Sequence, residues 1–190
     1  VTTEISDERR EQLRLRYLAE RDKRLRPDGN DQYREPTGRF EHFLDDPYTD
    51  VVDREAVTDE VTVAVVGAGF SGLVTAARLV EAGVQDVRLI DTAGDVGGVW
   101  YWNRYPGAMC DTAAMIYLPL LEETGTVPSA KYVPAHEIFA HARRIADTFG
   151  LYDNALLSTG VTSVTWDESS SRWCIETDRG DAFHAKFVAT

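Results

Sequence analysis

The sequence predicts an α/β protein with a parallel sheet at its centre and an antiparallel meander joined to it. Three stretches carry that expectation. Residues 61–66 read VTVAVV, a short, nearly all-apolar run of the kind covered on both faces of a parallel sheet. The run enters Gly67-Ala68-Gly69-Phe70-Ser71-Gly72, then a helix pattern with Leu73, Ala76, Ala77 and Val80 on one side; Gly83 closes it, and a second strand, Val87–Ile90, ends at Asp91. Near the other end, residues 159–167, 172–177 and 182–189 read as three strands joined by polar turns at 168–171 and 178–181.

A lone glycine triplet is a weak signal. Here strand, glycine turn, helix, strand and acid follow in order, and Asp91 stands 24 residues after Gly67. The chemistry accounts for each part. Gly67 permits a tight turn, Gly69 lets the backbone approach a pyrophosphate, and Gly72 lets helix and strand pack closely. The helix start offers unsatisfied amides and a positive dipole end. Asp91 can accept hydrogen bonds from both ribose hydroxyls of an adenosine, and it would repel a 2′-phosphate. The pattern predicts a bound dinucleotide. The alternative is a βαβ unit whose glycines serve packing alone.

Size and charge bound the rest. The chain of 190 residues suffices for one sizeable core or a domain and a half. Its 32 acidic and 20 basic residues give a formal charge of -12. That argues against a nucleic-acid surface, which needs a basic face, and against an anionic membrane surface. There is no run of 18 apolar residues, and the polar N-terminus lacks the apolar core of a signal peptide. Cys110 and Cys174 have no CxxC spacing, and His42, His136, His141 and His184 form no ligand pattern, so no metal is expected. A reducing cytoplasm is the expected compartment.

Residues 5–26 read as a helix, with Ser6 as cap, Asp7 and Glu8 in the first turn, Lys23, Arg24 and Arg26 in the last, and Pro27-Asp28-Gly29 as the stop. Its apolar stripe of Leu13, Tyr17, Leu18 and Leu25 is thin, so it should pack on another surface, of this chain or of a partner subunit. Residues 28–60 lack periodicity. Phe40, Phe43, Leu44 and Tyr48 are the expected anchors of an extended arm. Residues 1–60 are therefore expected to form an N-terminal extension on a nucleotide domain at 61–190, with a disordered tail as the alternative. Gly94, Gly97 and Gly98 make a flexible loop, followed by the rings of Trp100, Tyr101, Trp102 and Tyr105 and a Pro106-Gly107 turn. Those rings are either plain core or the wall of a flat ligand, and beside a dinucleotide turn the ligand expected is a flavin. Residues 134–149 form a clear amphipathic helix. The apolar end at 187–190 stops in mid-element, and the parallel strands are fewer than such a domain needs, so the chain is expected to be incomplete there.

The run Gly94-Asp95-Val96-Gly97-Gly98-Val99-Trp100-Tyr101-Trp102-Asn103-Arg104-Tyr105-Pro106-Gly107-Ala108-Met109-Cys110-Asp111 is far more specific than the glycine turn. With it, residues 61–190 resemble the FAD-binding region of type I Baeyer-Villiger monooxygenases, class B flavoproteins. The extension and Tyr117-Leu118-Pro119-Leu120-Leu121-Glu122-Glu123 look most like the branch acting on bulky cyclic and terpenoid ketones. The resemblance implies an FAD-binding Rossmann-like, three-layer domain with a meander insertion, and FAD and NADPH as cofactors. It implies that Gly67, Gly69, Phe70, Ser71 and Gly72 hold the FAD pyrophosphate and that Asp91 binds the ribose. It places Gly98, Val99 and Trp100 along the flavin and its ribityl chain, with Trp102, Tyr105 and Tyr117 shaping the pocket and Val161 against the adenine. Asp111 is the catalytic candidate, a carboxylate facing an arginine supplied from beyond residue 190. Its alternative is a structural carboxylate that accepts backbone amides. Ala113 and Ala114 stand where many relatives carry an acidic residue and a serine, and Met109 replaces a commonly polar residue.

The activity so implied inserts one oxygen atom of O2 beside a ketone carbonyl to give an ester or lactone, in a monomer or homodimer that binds neither nucleic acid nor membrane. The NADPH site would lie outside this segment, which alone would be inactive. Rival readings are a class B enzyme acting on amines or sulfides, a simple NAD-dependent dehydrogenase, and a non-catalytic flavin-binding fragment.

Overall fold

The structure, a computed structural model, describes residues 5–190. The chain divides into two compact units, Val1–Asp45 and Asp46–Thr190. In the first, α1 (Asp7–Asp22) forms inside the expected 5–26 span but ends at the Lys23 cap, so Arg21 and not Arg24 or Arg26 stands in its last turn. Ser6 accepts the Arg9 amide at 3.3 Å, and Asp7 and Glu8 occupy the first turn. No residue of α1 is buried. Two 3-10 turns follow, Gly29–Gln32 and Gly38–Leu44.

Phe40, Phe43 and Leu44, three of the expected anchors, belong to the smaller unit. Within it they lie on the second 3-10 turn. In a 3-10 helix residues three apart eclipse one another, so the Phe40 and Phe43 rings stack on each other, with centroids 6.3 Å apart. Tyr48, the fourth expected anchor, belongs to the larger unit, where its hydroxyl donates to the Trp102 carbonyl at 3.2 Å.

Residues 46–60, expected in the extension, also fall within the larger unit. Their backbone explains why: the carbonyls of Val57 and Asp59 accept from the amides of Ala182 and His184.

The larger unit is built on one five-stranded sheet of order β2-β1-β5-β4-β3, with β1 (Glu60–Val66), β2 (Val87–Ile90), β3 (Val161–Asp167), β4 (Arg172–Thr177) and β5 (Ala182–Ala189). β1 pairs in parallel with β2 on one side and β5 on the other. β3, β4 and β5 form the predicted antiparallel meander. β5 belongs to both halves: His184 is opposite Glu60 on one side and Cys174 on the other.

β1 is covered on both faces, as its apolar run requires. Val63 and Val65 pack with Leu73, Ala76 and Ala77 of α2 (Phe70–Glu81) and with Ala142 and Ile145 of α6 (Ala135–Thr148). Ala64 packs with Ile175, Phe183 and Ala185. Three one-turn helices, α3 (Val99–Trp102), α4 (Ala114–Tyr117) and α5 (Leu121–Thr124), lie between β2 and α6.

Two buried charges are satisfied inside this frame. Arg88, 4% exposed on β2, donates to both oxygens of Asp59 at 2.7 and 2.9 Å and to Asn154. Asp181, 2% exposed, accepts from both terminal nitrogens of Arg54 at 2.5 and 2.6 Å, from the Val57 amide and from Thr177. No helix among the described residues is long and apolar enough to cross a membrane.

Candidate dinucleotide site

β1 leads to β2 on one side and lies beside β5 on the other, so the chain direction splits at the carboxyl end of β1. That is where open α/β sheets bind ligands. Gly67 sits there with φ +104, a conformation that L side chains rarely adopt. Its amide donates to the Ile90 carbonyl at 2.7 Å. Gly69 is the N-cap of α2 and supplies no side-chain cap, so the first amides of the helix, including those of Phe70, Ser71 and Gly72, have no intrahelical acceptor. A Cβ on Gly72 would stand 1.8 Å from the Gly67 carbonyl oxygen, so helix and turn meet only because Gly72 has no side chain.

The second glycine loop closes on the first. Gly97 donates to the Ala68 carbonyl at 2.8 Å. A Cβ on Gly98, φ +55, would stand 2.9 Å from the Gly69 Cα. A small cleft of about 110 Å³ opens over the turn, lined by Gly67, Gly69, Ser71 and Gly72 with Ala189, the last residue of β5, and Thr190. A second, of about 240 Å³, is lined by Gly67, Asp91, Thr92, Thr159 and Val161. A cradle of bare backbone, uncapped amides and an adjacent acid fits a dinucleotide, with its pyrophosphate at the α2 start and its adenosine towards Asp91 and Val161.

Asp91 is already engaged by the protein. One carboxylate oxygen accepts the Ala68 amide at 2.6 Å and the other the Ala93 amide at 2.9 Å. It is half-buried. Each oxygen retains a further lone pair, so fixing the glycine turn and receiving a ribose are compatible tasks for one side chain.

The aromatic run divides. Tyr101 points inward and is fully buried. Its hydroxyl donates to Asp46 and contacts Thr49 at 2.8 Å. Trp100 donates its indole N–H to the Tyr117 hydroxyl at 2.7 Å, and the two rings meet edge to face at 5.8 Å. Tyr117 meets Phe70, the first residue of α2, also at 5.8 Å. Phe70, Trp100 and Tyr117 thus form one corner, joined to the glycine turn through Phe70. Val99, Trp102 and Tyr105 are 61%, 38% and 63% exposed. Tyr105 lies with Trp100, Met109 and Phe139 along a cleft of about 540 Å³.

Asp111 is exposed and takes part in no hydrogen bond or ion pair among the described residues. It is therefore not the carboxylate that accepts backbone amides; Asp46, Asp91 and Asp181 hold that role. Among the described residues there is also no group of histidine, cysteine and acidic side chains that could hold a metal.

Sequence reasoning missed several contributors. Thr92 and Thr159 line the cleft beside Asp91 and Val161, and the sequence marked only Val161 of that segment, through the family resemblance. His141, 3% exposed, lies 6.2 Å from the Phe70 ring and bridges Thr126 and the Pro119 carbonyl. Burial lowers its pKa, against the hydrogen bond to Pro119, and keeps the imidazole neutral.

Comparison with known proteins places the chain. Residues 65–125 match the family described as NAD(P)-binding Rossmann-like domain. The chain is 53% identical over 180 residues to neopentalenolactone D synthase of Streptomyces avermitilis, a match covering 94% of this chain and 30% of that protein. It is 51% identical over 188 residues to a Baeyer-Villiger monooxygenase of Streptomyces coelicolor, covering 98% of this chain and 31% of that one. The fold matches the polycyclic ketone monooxygenase from Thermothelomyces thermophila with a TM-score of 0.82 at 36% identity, covering 94% of this chain and 31% of that one. The chain thus spans about 30% of the length of the curated relatives it matches. With the glycine turn, the acid after β2 and the shared meander on the page, this degree of identity decides the family: the chain belongs to the class B flavoprotein monooxygenases of the Baeyer-Villiger type.

Proposed function

We propose that the protein containing this chain uses FAD and NADPH to insert one oxygen atom of O2 beside a ketone carbonyl, forming an ester or lactone. The observation that carries the reading is the corner of Phe70, Trp100 and Tyr117, built on the uncapped start of α2. It sets an aromatic corner, its rings edge to face, beside a pyrophosphate cradle, which supports a flavin dinucleotide over a nicotinamide cofactor alone. When bound, FAD supplies the redox chemistry, taking reducing equivalents from NADPH and activating O2.

The residues of this chain bind and orient. The amides of Phe70, Ser71 and Gly72 receive the pyrophosphate, and the open backbone of Gly67 and Gly69 lets it approach. Asp91 takes the ribose hydroxyls, and Val161, Thr159 and Thr92 border the adenine. Gly98, Val99 and Trp100 run along the ring system, with Trp102 and Tyr105 at its outer edge. Asp111 is held exposed and uncommitted, which suits a carboxylate that orients a cation from the remainder of the protein. The substrate class we propose is a bulky cyclic ketone, in line with the relatives named above. Cys110 and Cys174 are both free thiols, which supports a reducing cytoplasm as the compartment. Light scattering on the complete protein decides between the monomer and the homodimer that remain open.

The test supplies NADPH, O2 and a panel of cyclic ketones, with an amine and a sulfide alongside, to the complete protein and to its Asp111→Ala variant. Products are identified by mass. The variant should retain FAD and form lactone roughly 100-fold more slowly, the scale of losing one preorganised electrostatic partner. Amine or sulfide oxygenation without any lactone would assign the other class B chemistry. A colourless protein that gains no flavin spectrum with FAD would defeat the reading entirely.

A further inference from the structure

Residues 46–49 hold the loop that the proposed function assigns to the flavin. Asp46 accepts the Tyr48 amide at 2.8 Å through one oxygen, and through the other the Gly94 amide at 2.9 Å and the Tyr101 hydroxyl. The Tyr101 hydroxyl also lies 2.8 Å from Thr49 Oγ1. Gly94 is pressed against Thr49 so closely that a Cβ there would stand 2.4 Å from the Thr49 Cβ. Arg104 caps the assembly, with its guanidinium 4.0 Å from the Tyr48 ring centroid and 4.5 Å from that of Tyr101.

These contacts act at both ends of the loop, at Gly94 where it leaves β2 and at Tyr101 on α3. Between them stand Gly97 and Gly98, the residues that touch the first glycine turn through the Ala68 carbonyl and the Gly69 Cα. Trp100, one residue before Tyr101, reaches Tyr117 from there. A loop with three glycines has wide conformational freedom of its own. Its shape is therefore set from outside, by a carboxylate and a threonine about 50 residues earlier in the chain.

We infer that Asp46, Thr49 and Tyr101 form a clasp that positions the 94–102 loop for the flavin, so that 46–49 act as positioning residues of the cofactor site. The inference rests on the flavin reading above. Its mechanism is preorganisation: a supporting shell that fixes the loop before the cofactor arrives removes an ordering cost from binding.

The experiment uses the complete protein and leaves turnover aside. Wild type, Gly94→Ala, the Gly94→Ala/Thr49→Gly double variant and Asp46→Ala are stripped of cofactor and titrated with FAD. The visible circular dichroism of the bound flavin and the urea midpoint of the apoprotein are recorded for each. Gly94→Ala should weaken FAD binding about tenfold or more and change the flavin dichroism, because its methyl displaces the loop from Thr49. Removing the Thr49 side chain relieves the clash but also removes the Oγ1 that meets Tyr101, so the double variant should recover only part of that loss. Asp46→Ala should reproduce the altered dichroism without any steric clash, which keeps the test open if Gly94→Ala fails to fold. Two results overturn the clasp. One is unchanged FAD affinity and dichroism in Gly94→Ala or Asp46→Ala, whatever their urea midpoints. The other is a Gly94→Ala defect that Thr49→Gly does not relieve even in part. A wild type that binds no FAD would instead defeat the flavin reading, a distinct outcome.

Discussion

Asp91 joins two tasks in one carboxylate. Its place after an apolar strand and its distance from Gly67 were legible in the sequence, and they pointed to a ribose. The structure adds that both oxygens already hold backbone amides, those of Ala68 and Ala93. Removing the side chain should therefore act twice. Asp91→Ala in the complete protein should weaken FAD binding by roughly 1.5 to 3 kcal/mol, the scale of a lost hydrogen bond to a charged group. The apoprotein should also unfold at lower urea, because two amides lose their acceptors. FAD titration and urea unfolding of the same preparation separate these effects. A lower urea midpoint with an unchanged dissociation constant would leave Asp91 only its scaffold role. Asp111 makes the contrasting case. It is exposed and unpaired, so Asp111→Ala should move the urea midpoint by no more than about 0.5 kcal/mol equivalent, as is usual for surface changes. A larger loss would mean that the carboxylate is part of the folded scaffold.

At the scale of elements, helix α6 and the meander each depend on one buried polar group. His141 links α6 to the Pro119–Thr126 stretch and is kept neutral by burial. Its pKa is depressed in the folded protein, so the unfolded chain takes up the proton first. The stability it contributes is full above the unfolded value of about 6.5 and is lost as pH falls below that towards the folded value. The urea midpoint of the complete protein should therefore drop between pH 7.5 and 5.5, and His141→Gln should flatten that drop. Equal slopes would remove His141 from the account. The β4–β5 turn is held by Asp181, whose side chain is fully buried beside a Arg54 guanidinium that is 25% exposed. Asp181→Ala leaves that guanidinium and the Val57 amide without their acceptor and should cost about 3 to 5 kcal/mol, the range for breaking a buried pair. A loss below about 1 kcal/mol, the surface-pair range, would show that water replaces the carboxylate there. The longer helices and the strands were legible, because period and turn residues are local, whereas the one-turn helices α3, α4 and α5 are too short to show a period. Neither buried group was, because each is satisfied by partners on other elements.

The whole molecule carries a formal charge of -12, yet several of its acids are tied into the fold. Hydrogen bonds from Arg54 hold Asp181 well below the usual carboxylate range, and those from Arg88 lower Asp59. Burial works to raise Asp46, but the Tyr101 hydroxyl and the amides of Tyr48, Gly94 and Thr49 together hold it low. Each such acid stabilises the fold fully above the unfolded value of about 3.9, and that stability is lost as pH falls through the folded values. Unfolding of the complete protein should therefore take up protons below about pH 4, with a stability that falls steadily on acidification. Asp181→Asn should reduce that slope, as measured by urea titrations between pH 3 and 5. Asp46, Arg54 and Asp59 all stand in the 46–60 segment, so this part of the expected extension is bound into the larger unit by charge as well as by backbone.

The sequence by itself determined the βαβ unit, the glycine turn, the acid at 91, the meander and the family to which they belong. Those features are written in neighbouring residues: an apolar run, a glycine spacing, a 3.6-residue period, a polar turn. The tertiary structure alone decided which aromatic faces inward, that Arg88 is buried on a strand, and that 46–49 grip a loop about 50 residues away. Tyr101 stands between two other large rings in a run of uniform chemistry, and it is the buried one because Asp46, Thr49, Tyr48 and Phe139 enclose it. Arg88 reads as an exposed charge until Asp59 and Asn154 supply its acceptors. Such pairings lie between residues far apart in the chain, and the free energy that selects them comes from burial and desolvation in the assembled fold. No local pattern encodes that environment.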